Sequence, residues 1–135
     1  MTAGDFRPTI SPVVVGVDVV EIERIAAAAR RHGGRFLERV YTGRELDYCR
    51  GRPSSLATRF AAKEAIAKAL GTGIGTIRWL DIEILCDELG KPWVQLHGPA
   101  RRRAEELDLR HLEISHSHSR TMAIALVVMS RKGGP

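Results

Sequence analysis

The sequence predicts an α+β fold, a small antiparallel sheet packed with a long helix, and three features carry that expectation. A β-branched run stands near the start, a long stretch of strong helix formers occupies the centre, and short alternating segments punctuated by turn residues fill the second half.

Val13 to Val20 has the composition of a buried strand, interrupted by Gly16 and by one acid, Asp18. From Glu21 to about His32 the pattern turns helical, with Ile22, Ile25, Ala26 and Ala29 at helical spacing and Gly33-Gly34 as its stop. Two short helices are expected at Phe36 to Val40 and Arg44 to Cys49, the second capped by Thr42 with Glu45 three residues on. After the break at Gly51-Arg52-Pro53, Ser54 or Ser55 can cap a long helix that runs to Leu70 and closes at Gly71. Thr76 to Cys86 and Lys91 to Leu96 read as strands of a hairpin joined by Asp87-Glu88-Leu89-Gly90. Pro99 to Leu107 is expected as a basic helix. Leu112 to about Ser117 and Met122 to Met129 are the last two strands, with a turn around Ser119-Arg120.

A chain of 135 residues is the size of one domain, here drawn at 13–130 between a loose leader, 1–12, and a loose tail, 131–135. The formal charge of +5 is mostly an excess of Arg, whose planar fork suits phosphate and carboxylate, so an anionic ligand or partner is expected. Charge alone does not separate a nucleotide cofactor from an acidic protein or nucleic acid, and many small domains are mildly basic without using it. Cys49 and Cys86 lack the spacing of a zinc or redox motif, which fits a reducing compartment. The leader has no signal-peptide pattern and no run reaches membrane-spanning length, so a cytoplasmic location without a membrane partner is expected.

On a helical wheel of Ser54 to Leu70, Leu56, Phe60, Ala67 and Leu70 share one arc with Lys63 in its middle, while Glu64 and Lys68 flank it, one turn apart. Two readings fit these residues. One is an exposed ion pair with a snorkelling lysine. The other joins them to Asp18, because an acid in an apolar strand needs a hydrogen bond, a counter-charge or a cation. Asp18 and Glu64 are the pair of carboxylates that a Mg2+ site takes from protein, the remaining positions going to water and phosphate oxygens. A structural contact between Asp18 and Arg24 competes with that reading.

Gly16-Val17-Asp18 with Arg24, followed by Phe60-Ala61-Ala62-Lys63-Glu64-Ala65-Ile66-Ala67-Lys68, resembles the two signature motifs of the 4′-phosphopantetheinyl transferase superfamily. Tyr41-Thr42-x-x-Glu45, Leu70-Gly71-Thr72-Gly73, Gly90-Lys91-Pro92 and Ser117-His118-Ser119 are similar to segments of its small branch, the holo-acyl-carrier-protein synthases. The resemblance implies transfer of the phosphopantetheine arm of coenzyme A to a carrier-protein serine, with release of 3′,5′-adenosine bisphosphate. It implies Mg2+ on Asp18 and Glu64, Lys63 and Lys68 beside the phosphates, and coenzyme A contacts at Gly71, Gly73, Lys91, Pro92, Ser117 and His118. Glu45 and Glu64 are the alternative proton acceptors for the serine. The resemblance also implies a homotrimer with active sites between subunits, and an acidic acyl carrier protein docked on the Arg24 and Arg31 face of the first helix. His116 departs from the family, which carries an aliphatic residue there. The rival expectation is a non-catalytic basic module that binds nucleic acid or a carrier protein; it leaves Asp18 and Glu64 unexplained and has few aromatic residues for base stacking.

Overall fold

Residue parity organises the first strand. In the computed structural model, which describes Gly4 and residues 11–131, β1 (Val13–Glu21) turns Val14, Gly16, Asp18 and Val20 inward and leaves Val13, Val15, Val17 and Val19 on the outer face. Most of the expected leader, and residues 132–135 of the expected tail, lie outside the described residues. Helix α1 (Ile22–His32) follows without a loop and stops at Gly33, whose φ of 53° is the left-handed geometry that ends a helix. Helix α2 (Gly34–Val40) starts two residues earlier than expected, because Gly33 alone makes the break. Helix α3 (Gly43–Cys49) carries the expected capping box, with Thr42 accepting from Glu45 N while the Glu45 carboxylate accepts from Thr42 N.

Helix α4 (Pro53–Ala69) is the core of the molecule. It starts at Pro53 rather than after Ser54 or Ser55, since proline fits the first helical position, where no N–H is needed. Its alanines at 57, 61, 62, 65, 67 and 69 are all buried. Those small side chains let the backbone of β1 approach: a Cβ on Gly16 would lie 1.9 Å from Ala65 O.

The expected strand from Thr76 is shorter. Residues 76–81 run irregularly into a 3-10 turn at Trp79–Asp81, held because the Asp81 carboxylate accepts from Arg78 N, and β2 is only Ile82–Cys86. The apolar residues before it serve another purpose: Trp79 stacks on Phe60 of α4 with ring centroids 4.6 Å apart. β3 (Pro92–Leu96) pairs with β2 as the expected hairpin, α5 (Gly98–Glu106) follows, and β4 (Leu109–His118) and β5 (Met122–Arg131) form the last pair. Both are longer than expected. Arg131, assigned to the tail, closes β5, and β4 carries a register shift between Leu109 and His111 at its start.

Sheet order is β1-β5-β4, all antiparallel, with β2-β3 as a separate pair. Helix α4 covers the inner face of the larger sheet through Ala123, Ala125, Val127 and Met129 of β5. No helix among the described residues is long and apolar enough to cross a membrane.

Candidate active site

Where β1 and α4 touch, four charged side chains meet. Asp18 projects from the inner row of β1, with its side chain only 18% exposed, and accepts from Lys68 Nζ at 2.8 Å. The same ammonium donates to Val17 O at 3.1 Å. Glu64, one helical turn before Lys68, is half-buried, and no hydrogen bond reaches its carboxylate among the described residues. Burial pushes the Glu64 carboxyl above its ordinary pKa, Asp18 adds to that by like charge, and Lys68 and Arg24 oppose it. The hydrogen bond to Asp18 raises Lys68 in turn. Asp18, Glu64 and Lys68, expected from the sequence as parts of one site, are therefore neighbours, and Arg24, expected on the carrier-docking face, lies near enough to act on Glu64, whereas Lys63, expected in the same site, does not join them.

This donor set fits a hard divalent cation. Two carboxylates reach one place from separate elements, Glu64 has no donor among the described residues, and the Asp18 charge disfavours the Glu64 carboxylate.

Glu45 and Lys63 lie elsewhere. Both side chains are fully buried and joined at 2.7 Å. Lys63 Nζ also donates to Val40 O at 2.6 Å and Trp79 O at 3.1 Å, using its three protons. Glu45 Oε2 accepts from Ile84 N at 2.9 Å, and Oε1 from Thr42 N at 2.8 Å. Burial pulls the Lys63 pKa down and the Glu45 charge opposes it. The pair ties α4 to α2, α3 and β2 from inside, so neither group faces the Asp18 cluster or solvent.

Gly71 and Gly73, at φ of 76° and 65°, form the end of α4. Gly71 N donates to Lys68 O at 3.0 Å and Gly73 N to Ala67 O at 3.1 Å, so these amides close the helix and do not face outward as an anion cradle. Lys91 and Pro92 sit on the β2–β3 hairpin, where Lys91 Nζ reaches Glu113 of β4 at 3.3 Å, and no bond links them to Asp18 among the described residues. Ser117 and His118 end β4 and line a shallow depression with Val19, Met122 and Ile124. On α1, Arg24 and Arg31 are exposed, as are Arg35 and Arg39 on α2.

Sequence reasoning passes over Arg59. Its side chain is fully buried on α4 with no carboxylate partner: Nη2 approaches Cys86 Sγ at 3.4 Å, the guanidinium lies 4.2 Å from the Tyr48 ring centroid, and Nε has no partner among the described residues. The available signal is position, since Arg59 stands one turn before Lys63 on the buried side. His116 is on the inner row with Asp18 and Ala125, its Nε2 also without a partner, and burial followed by the Arg59 charge lowers its pKa.

A family model described as the 4′-phosphopantetheinyl transferase superfamily matches residues 14–127. The chain belongs to that superfamily. It is 49% identical over 123 residues, 86% of this chain and 97% of the relative, to a holo-[acyl-carrier-protein] synthase of Herpetosiphon aurantiacus. It is 48% identical over 120 residues to the Moorella thermoacetica protein of the same name, covering 85% of this chain and 93% of that one. Among solved structures, the Helicobacter pylori holo-[acyl-carrier-protein] synthase in complex with coenzyme A is 37% identical, with a TM-score of 0.79 over 86% of this chain and 99% of that chain. The α+β architecture of this transferase superfamily member agrees with that of these structures.

Proposed function

We propose that this chain transfers the 4′-phosphopantetheine group of coenzyme A to a serine of an apo-acyl carrier protein, releasing 3′,5′-adenosine bisphosphate. The observation that carries the reading is the cluster of Asp18, Glu64 and Lys68 at the β1–α4 contact, in a chain nearly half identical to proteins named for that reaction. Asp18 and Glu64 would hold Mg2+, which supplies charge neutralisation for the diphosphate oxygens. Lys68, whose side chain is half exposed, offsets charge that grows on the leaving phosphate. Glu64 is also the better-placed proton acceptor of the two candidates: burial raises its affinity for a proton, and Glu45 already uses both carboxylate oxygens.

Ser117 and His118 supply contacts to coenzyme A at the opposite end of β1 from Val13. The exposed arginines of α1 and α2 receive the acidic carrier protein and steer its approach. The outer sheet face, aliphatic through Val15, Val17, Val19, Ile124, Leu126 and Val128, is the assembly surface of a homotrimer. Both cysteines are unpaired, in keeping with action in the cytoplasm, in fatty-acid or polyketide synthesis.

Intact-mass detection of the phosphopantetheine adduct on a panel of apo-carrier proteins, with coenzyme A and Mg2+, tests the activity. Asp18→Ala and Glu64→Ala are expected to lower turnover at least about 100-fold while remaining folded. Absence of any adduct with wild-type protein would sink the reading, and near-wild-type turnover in either variant would remove the metal-site assignment.

A further inference from the structure

Arg59 is a buried charge without a counter-charge. Its side chain is 1% exposed, no carboxylate pairs with it among the described residues, and its Nε has no hydrogen-bond partner there. Buried charges are ordinarily paired. What the guanidinium does touch is sulfur: Nη2 donates to Cys86 Sγ at 3.4 Å, and the Tyr48 ring covers another side.

Cys86 closes β2 and is half-buried. It borders an open depression with Asp87, Glu88 and Leu89, all three exposed, so the residue meets solvent on one side and the guanidinium on the other. Cys49 is its opposite. That thiol is fully buried on α3, and burial pushes its pKa up.

We propose that Cys86 is a thiol-modification site that takes a small cationic or neutral disulfide, and that the resulting mixed disulfide blocks coenzyme A. The second half rests on the reading that Lys91 and Pro92 contact coenzyme A.

The attacking form of a cysteine is the thiolate, and reactive cysteines sit in partly exposed places beside a fixed cation. Arg59 is such a cation, and away from water its pull on a charged sulfur is stronger than the same contact at the surface. In the reaction Cys86 gives its proton to solvent and its sulfur attacks one sulfur of the disulfide. The new S–S bond forms as the old one breaks, and the other half leaves as a thiolate and takes up a proton. Cys86 is oxidised and the departing half reduced. The acids at the rim, Asp87 and Glu88, disfavour an anionic reagent and set the charge class. In a reducing compartment such a bond is transient, which suits a reversible block.

The block follows from register. Cys86 is directly opposite Pro92 in the β2–β3 pair, and opposite residues of an antiparallel pair lie on one face with Cβ atoms about 5 Å apart. Asp87 holds the turn beyond: its carboxylate accepts from Leu89 N and Lys91 N, each at 2.9 Å, and its N donates to Lys91 O. An adduct on Cys86 therefore stands over Pro92 on a turn that has little freedom to move away.

Wild-type protein treated with cystamine, a dicationic disulfide, tests the thiol by intact mass and peptide mapping. One adduct is expected, at Cys86 and not at Cys49, forming at pH 7 at least as fast as on an unstructured cysteine peptide despite the burial. A slower rate than the peptide, or modification at Cys49 instead, overturns the proposal. Arg59→Met should slow the reaction about tenfold, and an unchanged rate also overturns it. Should that variant fail to fold, the comparison with the peptide decides. Glutathione disulfide, which is anionic, should react more slowly than cystamine once each rate is divided by that of the peptide; an equal or higher ratio overturns the charge class. For the block, calorimetry uses desulfo-coenzyme A, which has no thiol to reverse the adduct. Modified wild-type protein should bind it about tenfold more weakly or worse, while Cys86→Ser given the same treatment binds as it did untreated. Equal affinity before and after modification overturns the block. If untreated protein does not bind desulfo-coenzyme A, the coenzyme A reading falls and the block with it, and the labelling rates still judge Cys86.

Discussion

Acids and bases of one sequence motif have opposite roles here because burial sorts them. Lys63 and Glu64 are adjacent, yet helical rotation sends the first into a sealed cage with Glu45 and the second toward Asp18. Breaking a buried pair by removing one partner costs about 3–5 kcal/mol, so Lys63 and Glu45 matter first to folding. His116 is half-buried without a comparable cage. Its Nε2 lacks a partner among the described residues, and burial together with the nearby Arg59 charge disfavours the charged imidazole, so the His116 pKa falls below its ordinary value. The unfolded chain takes up that proton at about pH 6.5, and stability is therefore full above that pH and declines as pH falls toward the folded-state value. His116→Ile should stabilise the protein by about 1 kcal/mol at pH 7 and by more at pH 5.5, through loss of an unsatisfied polar atom and of the proton linkage. Thermal melts across pH 5.5–8 measure this. A variant no more stable than wild type, with the same pH slope, would show that His116 is satisfied in solution.

At the scale of elements, the site depends on how closely one helix lies on one strand. Gly16 sets that distance, since its missing side chain leaves room for Ala65 O and Ala69 N, and the alanines of α4 keep the rest of the contact thin. Asp18 stands two residues from Gly16 on the same face, and Glu64 and Lys68 flank Ala65. Gly16→Ala would put a methyl 1.9 Å from a backbone oxygen, so α4 has to move. We expect a loss of about 3 kcal/mol in denaturant unfolding, and at least about a 100-fold loss of transfer in the folded fraction, because displacement of catalytic groups by ~1 Å has that effect. Wild-type stability and rate in this variant would mean that the helix–strand distance does not control the site. This dependence was partly legible in sequence: Gly16-Val17-Asp18 and the alanine-rich helix stand out, and helical spacing placed Glu64 beside Lys68. The Glu45–Lys63 cage was not, because it joins residues from separate elements that meet only in three dimensions. The irregular path of residues 76–81 was hidden as well, since Ile77, Trp79 and Leu80 have strand composition while Trp79 is recruited to stack on Phe60.

For the whole molecule, the outer sheet face decides whether a single chain is a complete enzyme. Across the three strands, Val17, Leu126 and Ser115 form one outward row, and Val19, Ile124 and Ser117 the next, so the aliphatic patch runs into the segment expected to touch coenzyme A. Leu126 is 47% exposed and Val15 63%, unusual for aliphatic residues in the middle of strands unless another surface covers them. A heterologous contact that repeats and closes gives a ring, and a trimer built on this face would bring Ser117 and His118 of each chain close to a neighbour. Leu126→Asp places a charge at the centre of the patch while leaving the inner row against α4 unchanged. It should retain the far-ultraviolet spectrum of the wild type, convert a trimer to monomer in light scattering, and lower transfer at least tenfold, with partial recovery at high protein concentration by mass action. If wild-type protein is a fully active monomer, or if Leu126→Asp stays trimeric, the outer face is not the assembly surface. If the variant is monomeric with undiminished turnover, each chain carries a whole site, and Ser117 and His118 serve only their own subunit.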